Sequence, residues 1–92
     1  MKSAITKKLL EKYFKLTSTA LLKIEKNIFP GKTSEAEKII EMVSCYLSDS
    51  EHFEKKGDFV NAFGAIYYAH GWIDCGVRLK VFNVDDDNLF TI

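Results

Sequence analysis

From Gly57 to Asp74 the chain reads Gly-Asp-Phe-Val-Asn-Ala-Phe-Gly-Ala-Ile-Tyr-Tyr-Ala-His-Gly-Trp-Ile-Asp. A glycine that can adopt left-handed angles is followed at once by an aspartate able to cap a helix. Behind them runs a segment of small and aromatic residues. This junction constrains the fold more than any other feature, because it dictates two helices joined by a tight turn. Apolar residues in the second helix nearly encircle it, so it should pack against more than one neighbour.

The remaining punctuation is sparse. One proline and five glycines in 92 residues favour a few long elements. The spacing predicts helix 1 over about 5–29, where Ile5, Leu9, Tyr13, Leu16, Ala20, Ile24 and Ile28 recur at three- or four-residue steps. Phe29-Pro30-Gly31 should end it. Helix 2 is expected over about 34–56, with Ser34 and Glu37 as a capping box and Gly57 as the closing residue. Helix 3 is expected over about 58–82, leaving a tail, 83–92, with Asp85-Asp86-Asp87 followed by Leu89, Phe90 and Ile92. The fold class is therefore all-α: an antiparallel three-helix bundle in one domain, with the C-terminal tail packed on it. Helix 3 should be the most buried, and Gly64, Gly71 and Gly76 should each have a packing reason, since a mid-helix glycine costs about 1 kcal/mol relative to alanine.

Charge is unevenly placed. Residues 1–32 hold eight lysines against Glu11 and Glu25, a charge of +6, and residues 33–92 carry −6. One reading is a basic helix resting on an acidic hairpin. The other is a basic face, Lys8, Lys12, Lys15 and Lys23, gripping a nucleic acid. No arginine forks or stacking platform accompany these lysines, and the two glutamates interrupt them.

Cys45 lies twelve residues before Gly57 and Cys75 eighteen after it. Across an antiparallel hairpin they are offset by about 9 Å, too far for a disulfide. Two buried thiols in a reducing compartment are expected. No signal-like or membrane-spanning segment is visible, and a cytoplasmic location is expected.

Two resemblances follow. Gly57-Asp58-Phe59, Ala62, Ile66 and Ala69 resemble the turn and second helix of a tetratricopeptide repeat, with Phe53 near the aromatic of its first helix. Ser50 stands where that repeat has glycine, no proline closes the unit, and there is one copy only. The second resemblance covers about the latter half. Tyr46-Leu47-Ser48-Asp49, Phe53, Gly57-Asp58, Asn61-Ala62-Phe63, Tyr68-Ala69-His70-Gly71, Asp74 and Leu89-Phe90-Thr91 resemble a family of small archaeal proteins, the domain of unknown function 357 family. That resemblance implies a compact helical bundle and carries no activity.

Candidate chemistry is thin. His70 and Asp74 are four apart and share a helix face, with Asp49 a candidate third member across the hairpin. They could form a metal or acid–base site, or a structural polar cluster. Cys45 is level with His70, so a thiol–imidazole contact is conceivable. His52 reads as a surface residue. Asp85-Asp86-Asp87-Asn88 lacks the ligand spacing of a calcium loop. Gly31-Lys32-Thr33 lacks the rest of a phosphate loop. Arg78 follows His70, which excludes ribonuclease motifs with arginine ahead of histidine. Three function readings remain: a protein-interaction or scaffold module, binding an unknown protein partner or a second copy of itself, using Tyr68 and Trp72 and the helix 1 surface; nucleic-acid binding; and a metal or enzyme site at His70 and Asp74. The first is favoured, with no catalytic residues, cofactor or metal and no membrane partner expected.

Overall fold

The computed structural model describes residues 4–90. Expectations for the tail residues Thr91 and Ile92 lie outside them. Three helices form: α1 Lys7–Glu25, α2 Thr33–Lys55 and α3 Phe59–Arg78. Among the described residues there are no strands, only one bridge pair. The chain is an all-α three-helix bundle.

Local chemistry sets the boundaries. Thr6 caps α1 by accepting the Leu9 N–H at 3.1 Å. The expected extension toward Ile28 fails because Ile28 leaves the helix to form an antiparallel bridge with Phe82. The Phe29 N–H donates to the Val81 carbonyl at 2.9 Å, and the Asn83 N–H to the Asn27 carbonyl at 2.7 Å. The expected Ser34 cap also fails. A turn from Phe29 to Lys32 runs straight into the helix, so Lys32 takes the cap position without a side-chain bond and Ser34 falls inside α2.

The α2–α3 junction matches expectation. Gly57 has φ +76°, and the N–H groups of Gly57 and Asp58 return to the carbonyls of Glu54 and Phe53. Asp58 then accepts the Asn61 N–H. α3 ends at Arg78, four residues before the expected limit. The reason is a second closure of the same kind: Lys80 sits at φ +62°, with Lys80 N–H to Val77 and Val81 N–H to Gly76. This turns Phe82 back beneath the helix. A left-handed lysine carries a steric cost that glycine avoids. Lys80→Gly is therefore expected to stabilise the protein by about 1 kcal/mol, read as a higher denaturation midpoint with an unchanged slope.

Helix directions follow from side-chain partners. Ser50 donates its hydroxyl to the Ala62 carbonyl at 2.8 Å, and Tyr46 stacks on Tyr68 at 4.7 Å, so α2 and α3 are antiparallel. Thr17 meets His70 and Tyr13 meets Phe63, so α1 runs parallel to α3. Ser50 is 1% exposed. Its hydroxyl explains why serine rather than glycine stands there: it satisfies a carbonyl at the helix crossing.

The core has two parts. The larger holds Ala20, Ile24, Ala36, Val43, Ala69, Ile73, Val77, Phe82 and Phe90 among others. The smaller gathers Leu10, Ala62 and Ile66 beneath Tyr13, Phe59 and Phe63. α3 contributes to both, and the α1–α2 contact is the smallest of the three. Ile66, Ala69 and Ile73 are 2%, 0% and 0% exposed, as a hub requires. The tail docks as expected: Phe90 is buried, and Val84 and Leu89 pack beside it.

Three expectations about α3 and the thiols are corrected. Its second face is largely open, with Tyr68, Cys75 and Leu79 exposed and Trp72 half-buried, because α1 and α2 both pack on the side holding Ile66 and Ile73. Gly64 and Gly71 have nothing within 4 Å of where a Cβ would stand, and only Gly76 shows a packing reason among the three. Cys45 and Cys75 are unbridged, as expected, but both are exposed. Each lies on the outward side of its helix.

Candidate functional site

A concavity containing His70 and Asp74 lies between α1, α3 and the tail, with a volume of about 410 Å³. α1 supplies Tyr13, Leu16 and Thr17. α3 supplies Phe63, Tyr67, His70 and Asp74, and the tail closes one side with Asp87 to Phe90. Tyr13, Phe63 and Tyr67 pack on one another, with Tyr13–Phe63 edge-on at 5.3 Å and Phe63–Tyr67 at 4.8 Å.

His70 is the polar centre. Its Nε2 lies 2.7 Å from the Leu89 carbonyl, and its Nδ1 2.9 Å from the Thr17 hydroxyl. A carbonyl only accepts, so Nε2 carries a proton and donates to Leu89, while the Thr17 hydroxyl, which can donate or accept, is the hydrogen-bond partner of Nδ1. Asp74 Oδ1 stands 3.7 Å from Nε2, an electrostatic partner rather than a hydrogen-bonded one. Both ring nitrogens are thus engaged by the protein itself. The ring ties α1 and the tail to α3.

The other candidates scatter. Asp49 is exposed on α2 and is not among the residues lining this concavity. His70 therefore pairs with Asp74 but not with Asp49. The polar partners of His70 are Thr17, Leu89 and Asp74; Cys45 is not one of them. No group of three His, Cys, Asp or Glu able to hold a metal occurs among the described residues. Lys8, Lys12 and Lys15 are exposed on α1, and Lys12 Nζ lies 5.6 Å from the Tyr13 ring centre. Lys23 is diverted to the tail, 3.3 Å from Asp86. That pair directly links the basic helix to the acidic remainder. Asp86 also accepts the Asn88 N–H at 2.9 Å. This bond first, and Lys23 second, hold the Asp86 carboxyl below the ordinary aspartate value.

Sequence reasoning missed Thr17, Tyr67 and Leu89 as members of this cluster. Thr17 carried a usable signal, a hydroxyl inside an otherwise apolar stripe. Leu89 acts through its backbone carbonyl and carried none.

A second region lies on the outer side of α3. Tyr67 and Tyr68 are 60% and 61% exposed, and Val60 is 72% exposed. Gly64, Gly71 and Cys75 lie between and beside them, also exposed. Positions 60, 64, 67, 71, 75 and 78 step by three or four, so they share one helix face. Trp72 flanks it, packed against the main core, with its indole N–H buried and without a hydrogen-bond partner among the described residues.

No helix of the structure is long and apolar enough to cross a membrane, among the described residues. No curated protein and no solved structure matches the chain. One family model does match, over residues 12–82, from the second turn of α1 to the bridge after α3, and it is described as "Protein of unknown function (DUF357)". That span covers most of the chain and all but one turn of the bundle, and the chain belongs to this family.

Proposed function

We propose that this protein is a non-catalytic interaction module whose docking surface is the outer face of α3. One observation carries the reading: from Phe59 to Ile73 α3 has no Asp, Glu, Lys or Arg, yet Val60, Tyr67 and Tyr68 are mostly exposed. The outward faces of α1 and α2 are studded with charge instead. A helix apolar all round is normally enclosed all round, and a contiguous uncharged aromatic face marks a surface that a partner covers. Tyr68 and the flanking Trp72 supply the residue types that dominate such interfaces.

The catalytic reading has less support, since His70 is occupied by Thr17 and Leu89. Nucleic-acid binding would rest on Lys8, Lys12 and Lys15, with Lys23 committed to the tail. Free cysteines favour a reducing compartment such as the cytoplasm.

The two thiols provide the test. Cys75 lies on the proposed face and Cys45 on the outside of α2, so Cys45 is an internal control. Alkylation rates are measured by mass spectrometry on dilute purified protein, on concentrated purified protein and on the protein in native cell extract. Cys75 is expected to react at least about fivefold more slowly in extract or in concentrated purified protein than in dilute solution, the factor that covering with roughly 1 kcal/mol of protection supplies, while Cys45 is unchanged. Equal behaviour of both thiols in extract and in concentrated purified protein overturns the reading.

A further inference from the structure

We infer that the partner on this face is a second copy of the same chain, with the two α3 helices antiparallel about a two-fold axis. This inference rests on the docking face proposed above. The face is self-complementary in that arrangement. With the axis level with Tyr67 and Tyr68, Gly64 of one copy comes opposite Gly71 of the other, and Val60 opposite Cys75. A Cβ placed on either exposed glycine would meet nothing within 4 Å from the rest of one copy, so each leaves room for a second helix. Neither glycine serves any packing within the monomer, although each costs α3 about 1 kcal/mol of helix propensity.

Charge selects the orientation. α3 carries Asp58 at its start and Arg78 at its end; the one Lys, Arg, Asp or Glu between them is Asp74, at the edge of the outer face beside Tyr67 and lining the His70 concavity. Antiparallel copies bring each Arg78 level with the Gly57–Asp58 corner of the other, and oppose the two helix dipoles. Parallel copies would place Arg78 on Arg78 and Asp58 on Asp58. Net charge is zero, so nothing long-range drives copies apart. A two-fold contact also closes on itself, which prevents further growth. The face is about 30 Å long, the length of a 20-residue helix. It buries a few hundred Å² per copy, the size class of weak, reversible association.

Sedimentation equilibrium from about 10 µM to about 1 mM tests this, the range in which weak reversible dimers form. The mass is expected to rise from one copy toward two. Gly71→Lys puts a charge on the face where the single copy has open space. It is expected to stay folded by circular dichroism, with a thermal midpoint no lower than wild type, and to remain one copy at every concentration. Orientation is read by mild oxidation. Tyr68→Cys, beside the axis, is expected to cross-link into covalent pairs. Native Cys75 is expected not to, because antiparallel copies hold those thiols about 22 Å apart along the axis at helical rise.

A wild-type mass that stays at one copy to the highest concentration overturns the inference, as does association that Gly71→Lys leaves intact. Cross-linking through Cys75 overturns the antiparallel arrangement. If the purified protein stays single while Cys75 is still protected in extract, the docking face stands and the second copy does not.

Discussion

Replacing Phe82 by alanine is expected to cost about 3–5 kcal/mol, the range for a fully enclosed phenyl ring. Phe82 is 1% exposed and is the largest fully buried side chain among the described residues. In a domain whose whole stability is about 5–15 kcal/mol, this removes a large share of it. The thermal midpoint should drop by roughly 15–30 °C. Gly76 is the reciprocal site. A Cβ there would stand 2.6 Å and 2.9 Å from atoms of the Phe82 ring and 3.0 Å from Ile39 Cδ1. Alanine gains about 1 kcal/mol of helix propensity at a glycine position. Overpacking against a ring held on every side costs about 1–3 kcal/mol. Gly76→Ala is therefore expected to destabilise, whereas Gly76→Ala in the Phe82→Ala background should be neutral or stabilising. Denaturation of the two single variants and the double variant measures that change of sign. Additive costs would mean that the ring and the glycine do not share space.

Phe90→Ala is expected to act differently. Phe90 is 3% exposed, but it anchors a tail held by few bonds: Leu89 carbonyl to His70, Asp86 to Lys23, and the Phe90 N–H to the Asp86 carbonyl. A segment that can leave without unfolding the helices caps the loss at its own docking energy. The global cost should stay at or below about 3 kcal/mol, under the usual range for a buried phenylalanine. The Phe90 amide should meanwhile lose more than about tenfold of its hydrogen-exchange protection. The His70 imidazole resonances should shift, because Nε2 loses its acceptor. An unchanged midpoint together with unchanged exchange would show that the tail is not held by Phe90.

The helical regions were legible wherever a local rule decided them. Gly57 and Asp58 act within five residues of themselves, so the α2–α3 turn could be read directly. The stripe through Ile66, Ala69 and Ile73 obeys simple periodicity. Misplaced limits share one cause, which is contact between distant segments. Ile28 leaves α1 for Phe82, and α3 stops at Arg78 so that Phe82 can fold back on Gly76. Neither decision is encoded near the residue that obeys it. Ser34 failed as a cap because the turn from Phe29 delivers the chain two positions early. The candidate site was half legible. His70 and Asp74 announce themselves by helical spacing, but the Leu89 carbonyl has no signature in residue type. Periodicity also could not say how many sides of α3 are enclosed, since it reports where apolar residues point and not whether anything meets them.

The bridge between Ile28 and Phe82 has a bearing on assembly order. It joins segments 54 positions apart, while the turn at Gly57 joins neighbours. During synthesis the amino-terminal third emerges first, yet its apolar stripe finds no permanent cover until the last third has left the ribosome. The hairpin can close quickly by itself, and latching of the leading helix comes as the slow final stage. A nascent chain paused before Phe82 would thus carry a folded hairpin and an unlatched leader, the stage at which it most needs shielding from its neighbours.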